Sequence, residues 1–319
     1  MSFDHRYRFL DLSILESMST TPIYVIGSSN TDMVIKSDKI PARGETILGG
    51  TFFMNPGGKG ANQAVAAARL GGQVALVVNV GNDLFGQQSI AHFQKEKINT
   101  NFISIDPTLA SGVALINVDS LGENCITVAP GSNGNLTIVH VDRALDAIQA
   151  KSIVLLQLEI PMATVEHVIR QSHKRGYRVM LNPAPAQKLG KEILTNLFLI
   201  TPNESEAELL TGIRISDSKS AELAAEQLHL LGAVNVVITL GAKGAFIHSK
   251  ELMQMIPAPP AFAVDTTAAG DCFNGALAVA LSEGFSLGDA VSFACMAASL
   301  SVARMGAQQS MPYREEVEK

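Results

Sequence analysis

The sequence predicts an α/β protein whose central sheet is mainly parallel. Three observations carry that expectation. Short, wholly apolar runs recur along the chain. Longer stretches of helical periodicity alternate with them. Several of the runs stop at Gly, Asn or Thr, where strands open into loops. The first run is Ile23-Tyr24-Val25-Ile26-Gly27, and Val74–Val80, Ser152–Leu158, Arg178–Leu181, Leu197–Thr201 and Val236–Thr239 repeat it. Residues 61–70, 85–96, 162–174, 219–231 and 273–283 read as the helices between them. A strand buried on both faces needs such a continuous run, and parallel neighbours need a crossover helix. Two segments break the rhythm. Residues 33–54 and 101–128 alternate like half-buried strands, as in Gly112-Val113-Ala114-Leu115-Ile116-Asn117-Val118, and predict a small separate sheet. Apolar residues on both faces of such a sheet call for a cover or a partner.

Composition narrows the function classes. The chain has 319 residues, 47% hydrophobic and 17% charged, which suits a large buried core. A net charge of −6 without a basic block argues against a nucleic-acid surface. Cys125, Cys272 and Cys295 show no CxxC spacing, so neither a disulfide framework nor a zinc site is expected, and the chain reads as cytoplasmic. No apolar run reaches the roughly 18 residues of a membrane span. Residues 1–17 mix Arg6 and Arg8 with Asp4, Asp11 and Glu16 and hold no signal-peptide core. Residues 1–20 are therefore expected to be a disordered extension, with Met18 an alternative natural start, and 21–315 to form the working domain.

Two glycine-rich clusters suggest chemistry. Asp265-Thr266-Thr267-Ala268-Ala269-Gly270-Asp271-Cys272-Phe273-Asn274-Gly275 is a small-residue turn running into a helix. Free N–H groups at a helix N-terminus attract anions, and Asp271 sits beside them as a proton acceptor. An Asp there is ordinarily only a cap, but an anion nest beside a base is the minimum equipment for phosphoryl transfer. Far upstream, Asn55-Pro56-Gly57-Gly58-Lys59-Gly60-Ala61-Asn62-Gln63 opens another helix. Its spacing fits neither a P-loop nor a dinucleotide fingerprint. It offers backbone, one ammonium and one amide, an inventory suited to a polyol. Asn30, Asp32, Glu159, Asn203 and Thr239 fall at strand ends, where α/β folds gather ligands.

Together these clusters resemble the two signature regions of the ribokinase-like (pfkB) carbohydrate kinase family. The resemblance runs from about Ile23 to Glu315. It takes in Gly27-Ser28-Ser29-Asn30-Thr31-Asp32, Leu156-Gln157-Leu158-Glu159 and Asn182-Pro183-Ala184-Pro185-Ala186. It continues through Thr201-Pro202-Asn203-Glu204-Ser205-Glu206, Thr239-Leu240-Gly241-Ala242-Lys243-Gly244 and Gly306-Ala307-Gln308-Gln309-Ser310. It implies a three-layer α/β/α fold with a β-sheet lid drawn from 33–54 and 101–128, and a homodimer formed through the lids. It implies ATP-dependent phosphorylation of D-ribose at its 5-hydroxyl, with Mg²⁺ and an activating K⁺. Another small sugar such as 2-deoxyribose is the alternative substrate, and a non-catalytic sugar sensor the alternative class.

The resemblance also implies roles. Asn30, Thr31, Asp32, Gly58, Lys59, Gly60, Ala61, Asn62 and Glu159 would hold the sugar, and Asp271 would be the base. Ala268, Ala269, Gly270 and Asp271 would form the anion hole. Asn203, Thr239, Leu240, Gly241, Ala242, Lys243 and Gly244 would meet the nucleotide. Cys295 stands where the family commonly carries a polar residue beside the adenine. Glu206 would organise Mg²⁺ through water. Asp265, Thr267, Ser301, Arg304, Gly306 and Ser310 would surround K⁺, mostly through backbone oxygens. Cys272, next to the base, is expected to confer sensitivity to thiol reagents.

Overall fold

The structure, a computed structural model, describes residues 20–319, so the expected N-terminal extension lies outside the described residues but for Thr20. The strands are β1 (Ile23–Ile26), β2 (Asn30–Lys36), β3 (Thr51–Gly57), β4 (Val74–Val77), β5 (Asn79–Gly81), β6 (Ser104–Asp106) and β7 (Gly112–Val118). They continue as β8 (Asn124–Ala129), β9 (Ile153–Leu156), β10 (Arg178–Leu181), β11 (Leu199–Ile200), β12 (Val236–Thr239), β13 (Ala245–His248) and β14 (Met253–Ile256). Eight of them form the main sheet in the order β14-β13-β12-β11-β10-β9-β1-β4. It is parallel from β4 to β12, and β13 and β14 close its edge antiparallel.

The sheet separates two apolar layers, as the continuous strand runs require. Ile23, Val25, Leu76, Ile153 and Leu155 face one side, under helices Lys59–Arg69, Ala269–Ser282 and Leu287–Ser301. Tyr24, Ile26, Val77, Val154 and Leu156 face the other, under helices Ile138–Leu145, Met162–Lys174 and Ser218–Leu230. The expected three-layer α/β/α fold is thus present. Helix starts follow local chemistry. The Asp83 carboxylate accepts the Gly86 N–H, and Asn203 and Glu206 form a reciprocal capping box.

The lid sheet has the order β3-β2-β7-β8. Three expectations change. Val74–Val80 is not one strand: it breaks at Val78 into β4, in the main sheet, and β5, which pairs with β6. Ser104–Asp106 therefore leaves the lid. Leu197–Thr201 shortens to two residues. Strands β13 and β14 and helices Ile138–Leu145 and Leu287–Ser301 add to the expected elements.

Because β1 lies between β4 and β9, successive connections leave it in opposite directions, which opens a crevice at its carboxyl end. Two helices meet there, Lys59–Arg69 and Ala269–Ser282. Their approach depends on Gly275, where a Cβ would lie 2.7 Å from both Ala66 Cβ and Gln63 O. Gly275→Ala should cost about 1–3 kcal/mol through overpacking. Gly190→Ala, at a position with no neighbour within 4 Å and an ordinary φ of −73°, should cost under about 0.5 kcal/mol. Urea unfolding of the two variants checks the contrast, and equal midpoints would refute it.

Candidate active site

From β1 the chain passes through Gly27, Ser28 and Ser29 into β2, so Asn30 and Asp32 stand where the main sheet meets the lid. Strand alternation puts their side chains on one face and that of Thr31 on the other. Asn133 holds Asn30, donating to its Oδ1 at 2.7 Å. Asp32 lines a cavity of about 540 Å³ between the lid residues Val34, Phe53, Ile116 and Ile126 and the loops 263–267 and 305–309. Its carboxylate has no hydrogen-bond partner among the described residues. Gly57 leaves it room, since a Cβ there would lie 2.2 Å from Asp32 Oδ2. Burial pushes the Asp32 carboxyl up to about 6; Glu159 and Asp271 add to this and Lys59 opposes it.

Gly58, at φ 88°, turns the chain into helix Lys59–Arg69. The Lys59 ammonium faces Asp271, Glu159, Glu206 and Asp32, which hold its pKa above the ordinary lysine value against burial. It forms a direct ion pair with none of them among the described residues. Glu159 Oε2 accepts from Ser28 Oγ at 2.5 Å and from the Lys59 N–H at 3.0 Å. Gly60 and Ala61, expected at the sugar, bond their N–H groups within the fold. Their N–H groups donate to Ser28 Oγ and Ser28 O, and the Ala61 side chain lies in the core. Asn62 spends Nδ2 on Asp271 Oδ2 at 2.9 Å and accepts at Oδ1 from Gln308.

Asp271 is buried in the third position of helix Ala269–Ser282. Gln63, fully buried, donates to its Oδ1 at 3.0 Å. Burial raises the Asp271 pKa, against the pull of Lys59, Asn62 and Gln63. Ala268 opens the helix in the left-handed region at φ 59°, a conformation worth about 1–3 kcal/mol of strain in a residue with a Cβ. Such a turn before a helix makes a concave nest of N–H groups. The N–H groups of Ala268, Gly270 and Asp271 have no acceptor among the described residues. That of Ala269 leans on Thr266 O at 3.3 Å, so three of the four expected donors are open. Asn274 ties the nest to the sheet, donating to Gly270 O and accepting from Thr201 Oγ1 at 2.6 Å.

On the other flank, a bridge joins Asn203 to Thr239. The Gly241–Lys243 turn follows, with Leu240 buried in the core, so that residue offers only backbone. Glu206 is buried, and burial raises its pKa despite the Asn203 N–H and Lys59. Asp265 accepts from the Thr267 and Gly306 N–H groups at 2.9 and 2.8 Å and so pins two loops together. Arg304 turns its guanidinium to Glu316, and Ser301 and Ser310 give their hydroxyls to nearby carbonyls. Cys295 is buried in the core with its thiol pushed up to about 11. Cys272 is wholly buried and burial pushes its thiol up to about 12, an environment that disfavours the reactive thiolate on which the expected thiol sensitivity depends. Sequence reading missed Gln63, Gln308 and Asn133 as parts of the site.

Residues 20–314 match the model of the pfkB family carbohydrate kinases. The chain belongs to that family. A ribokinase of Haemophilus influenzae is 43% identical over 292 residues, 92% of this chain and 95% of the relative. A deoxyribokinase of Salmonella typhi is 36% identical over 295 residues, 92% of this chain and 96% of the relative. Among solved structures, a ribokinase of Thermotoga maritima superposes with a TM-score of 0.85 at 40% identity, covering 93% of this chain and 98% of that one. A ribokinase of Arabidopsis thaliana complexed with ribose and ATP gives 0.84 at 32%, covering 94% and 98%.

The Asp32 carboxylate yields a pH prediction. Its folded pKa of about 6 exceeds the ordinary 3.8, so above pH 6 its charge opposes folding, by up to about 3 kcal/mol. That opposition fades as pH falls from 6 towards 4. Asp32→Asn should therefore stabilise the protein by about 1–3 kcal/mol at pH 7.5 and by little at pH 4. Urea melts at both pH values check this, and a variant less stable than wild type at pH 7.5 would contradict it.

Proposed function

We propose that this chain is an ATP-dependent ribokinase that converts D-ribose to D-ribose 5-phosphate. One observation carries the reading: the buried carboxylate of Asp271 stands beside three N–H groups at a helix start that have no acceptor among the described residues, and Asp32, likewise without a hydrogen-bond partner among them, faces the lidded cavity nearby. Asp32 and the free Nδ2 hydrogens of Asn30 bind sugar hydroxyls, with Glu159 and Lys59 completing that side. A carboxylate with two free oxygens suits the vicinal diol of ribose. Asp271 takes the proton of the 5-hydroxyl as its oxygen attacks the γ-phosphorus. The bond to the β-phosphate oxygen breaks, and ADP leaves. The Ala268, Gly270 and Asp271 N–H groups stabilise charge on the phosphoryl oxygens. The 239–244 turn and Asn203 hold the nucleotide, with Cys295 on the adenine side.

Four carboxylates, Asp32, Glu159, Glu206 and Asp271, face the single Lys59 ammonium. That excess of negative charge fits a divalent cation. Glu206 would hold Mg²⁺ through water, and the ion neutralises phosphate charge when bound. The loops that Asp265 pins together bring carbonyls of residues 265–267 and 301–310 into one neighbourhood, which fits K⁺ as an activator. Ile35, Phe52, Met54 and Leu115, each 43–56% exposed on one lid face, support a homodimer formed through the lids. Three free cysteines suit a reducing, cytoplasmic setting. Among the described residues, no helix is long and apolar enough to cross a membrane.

ADP release from Mg-ATP, measured with ribose, 2-deoxyribose, fructose, fructose 6-phosphate and adenosine, with and without K⁺, tests the reading. Ribose should be turned over preferentially, and faster with K⁺. Preference for 2-deoxyribose would keep the kinase and move the substrate. No turnover by folded protein that binds sugar would favour a sensor. Asp271→Asn should lose at least about 10²-fold in kcat, the scale of a general base, while still binding sugar. An active variant would remove Asp271 from that role.

A further inference from the structure

Both oxygens of Asp271 receive amide hydrogens, and each of these amides is in turn an acceptor from another amide. Gln157 Nε2 donates to Gln63 Oε1, and Gln63 Nε2 donates to Asp271 Oδ1. On the other oxygen the chain is longer. His92 Nε2 lies 2.9 Å from Gln308 Oε1, Gln308 Nε2 donates to Asn62 Oδ1 at 3.1 Å, and Asn62 Nδ2 donates to Asp271 Oδ2 at 2.9 Å. It crosses from helix Leu84–Lys95 through the Gln308–Ser310 turn to the two helices of the site.

The direction of this chain matters because an amide is nearly symmetric in shape. Reversed, Asn62 would set its carbonyl oxygen against a carboxylate oxygen, acceptor against acceptor. The carboxylate itself favours the N–H, and Gln308 reinforces that orientation by offering Asn62 Oδ1 a donor. Gln308 has the same ambiguity. The Gly57 carbonyl, which can only accept and lies 3.5 Å from Gln308 Nε2, favours one orientation, and His92 supports it when its Nε2 carries the proton and donates to Gln308 Oε1. Gln308 is 1% exposed, and Arg69, itself paired with Glu96, holds its carbonyl at 2.8 Å. His92 is only partly buried.

We propose that Gln308 and His92 are positioning residues of the kinase reaction, which reinforce through Asn62 the orientation that turns an N–H, not a carbonyl, to Asp271. The inference rests on the kinase reading above. Neither residue touches the reacting groups. Their work is to keep the carboxylate a proton acceptor of fixed direction, which distinguishes them from residues that merely fill the core.

Steady-state ADP release, with thermal unfolding of each protein, tests this in wild type, Gln308→Met, Gln308→Glu, His92→Leu and His92→Gln. Gln308→Met removes the donor and should lower kcat about 5- to 10-fold, part of what a general base contributes. Gln308→Glu keeps the shape but can only accept, so it draws the Asn62 NH₂ away from Asp271 and should lower kcat at least about tenfold further. His92→Leu should lower kcat several-fold. His92→Gln, which restores a donor, should return it to within about twofold of wild type. Gln308→Glu turning over as fast as Gln308→Met, or His92→Gln no better than His92→Leu, would overturn the proposal. If the Gln308 variants do not fold, the His92 pair decides. A wild-type protein inactive on every sugar would overturn the kinase reading itself.

Discussion

The structure is organised around one costly act, the burial of the Asp271 carboxylate. A carboxylate taken out of water without partners is strongly disfavoured. Here Asn62 and Gln63, adjacent residues on a different helix, each give it an N–H, and the Lys59 ammonium faces it. Those bonds exist only if helices Lys59–Arg69 and Ala269–Ser282 come within side-chain reach at their N-terminal ends. The small faces of Ala66, Ala67 and Gly275 permit it, and the first apolar layer of the sheet anchors both helices. Packing on the buried side of these helices thus sets the chemistry at their open ends.

The remaining charges follow from the same crowding. Lys59 balances one of four carboxylates, and Asp32 is left high in pKa with no hydrogen-bond partner among the described residues. Such an arrangement is poorly satisfied alone and well matched to a ligand carrying hydroxyls and a divalent cation. The lid supplies Asp32 yet belongs to a separate sheet, so the sugar side of the site is built on an element distinct from the one carrying the base. Ala268 is strained at the mouth of the nest, whose three N–H groups have no acceptor among the described residues.

Much of this was legible in the sequence. Strands Arg178–Leu181 and Val236–Thr239 and helix Met162–Lys174 have the expected bounds, because continuous apolar runs and helical periodicity report burial directly. Val74–Val80 misled for the same reason: an unbroken apolar run does not show that the chain changes sheets at Val78. Thr31 and Ala61 sit inside motif runs, but alternation turns the Thr31 side chain to the lid face opposite Asp32, and packing takes the Ala61 side chain into the core. Gln63 was hidden differently. A glutamine in a helix carries no mark of its partner, and Asp271 lies 208 positions away. Gln308 and Asn133 were hidden likewise, since amides declare their roles only through the direction of their hydrogen bonds.

The most direct test of that direction is neutron diffraction from deuterium-exchanged crystals of the protein grown near pH 8. The account predicts deuterons on Asn62 Nδ2 and Gln63 Nε2 pointing at the two Asp271 oxygens, with Gln308 Nε2 pointing at Asn62 Oδ1. A carbonyl oxygen of either Asn62 or Gln63 facing Asp271 would contradict it.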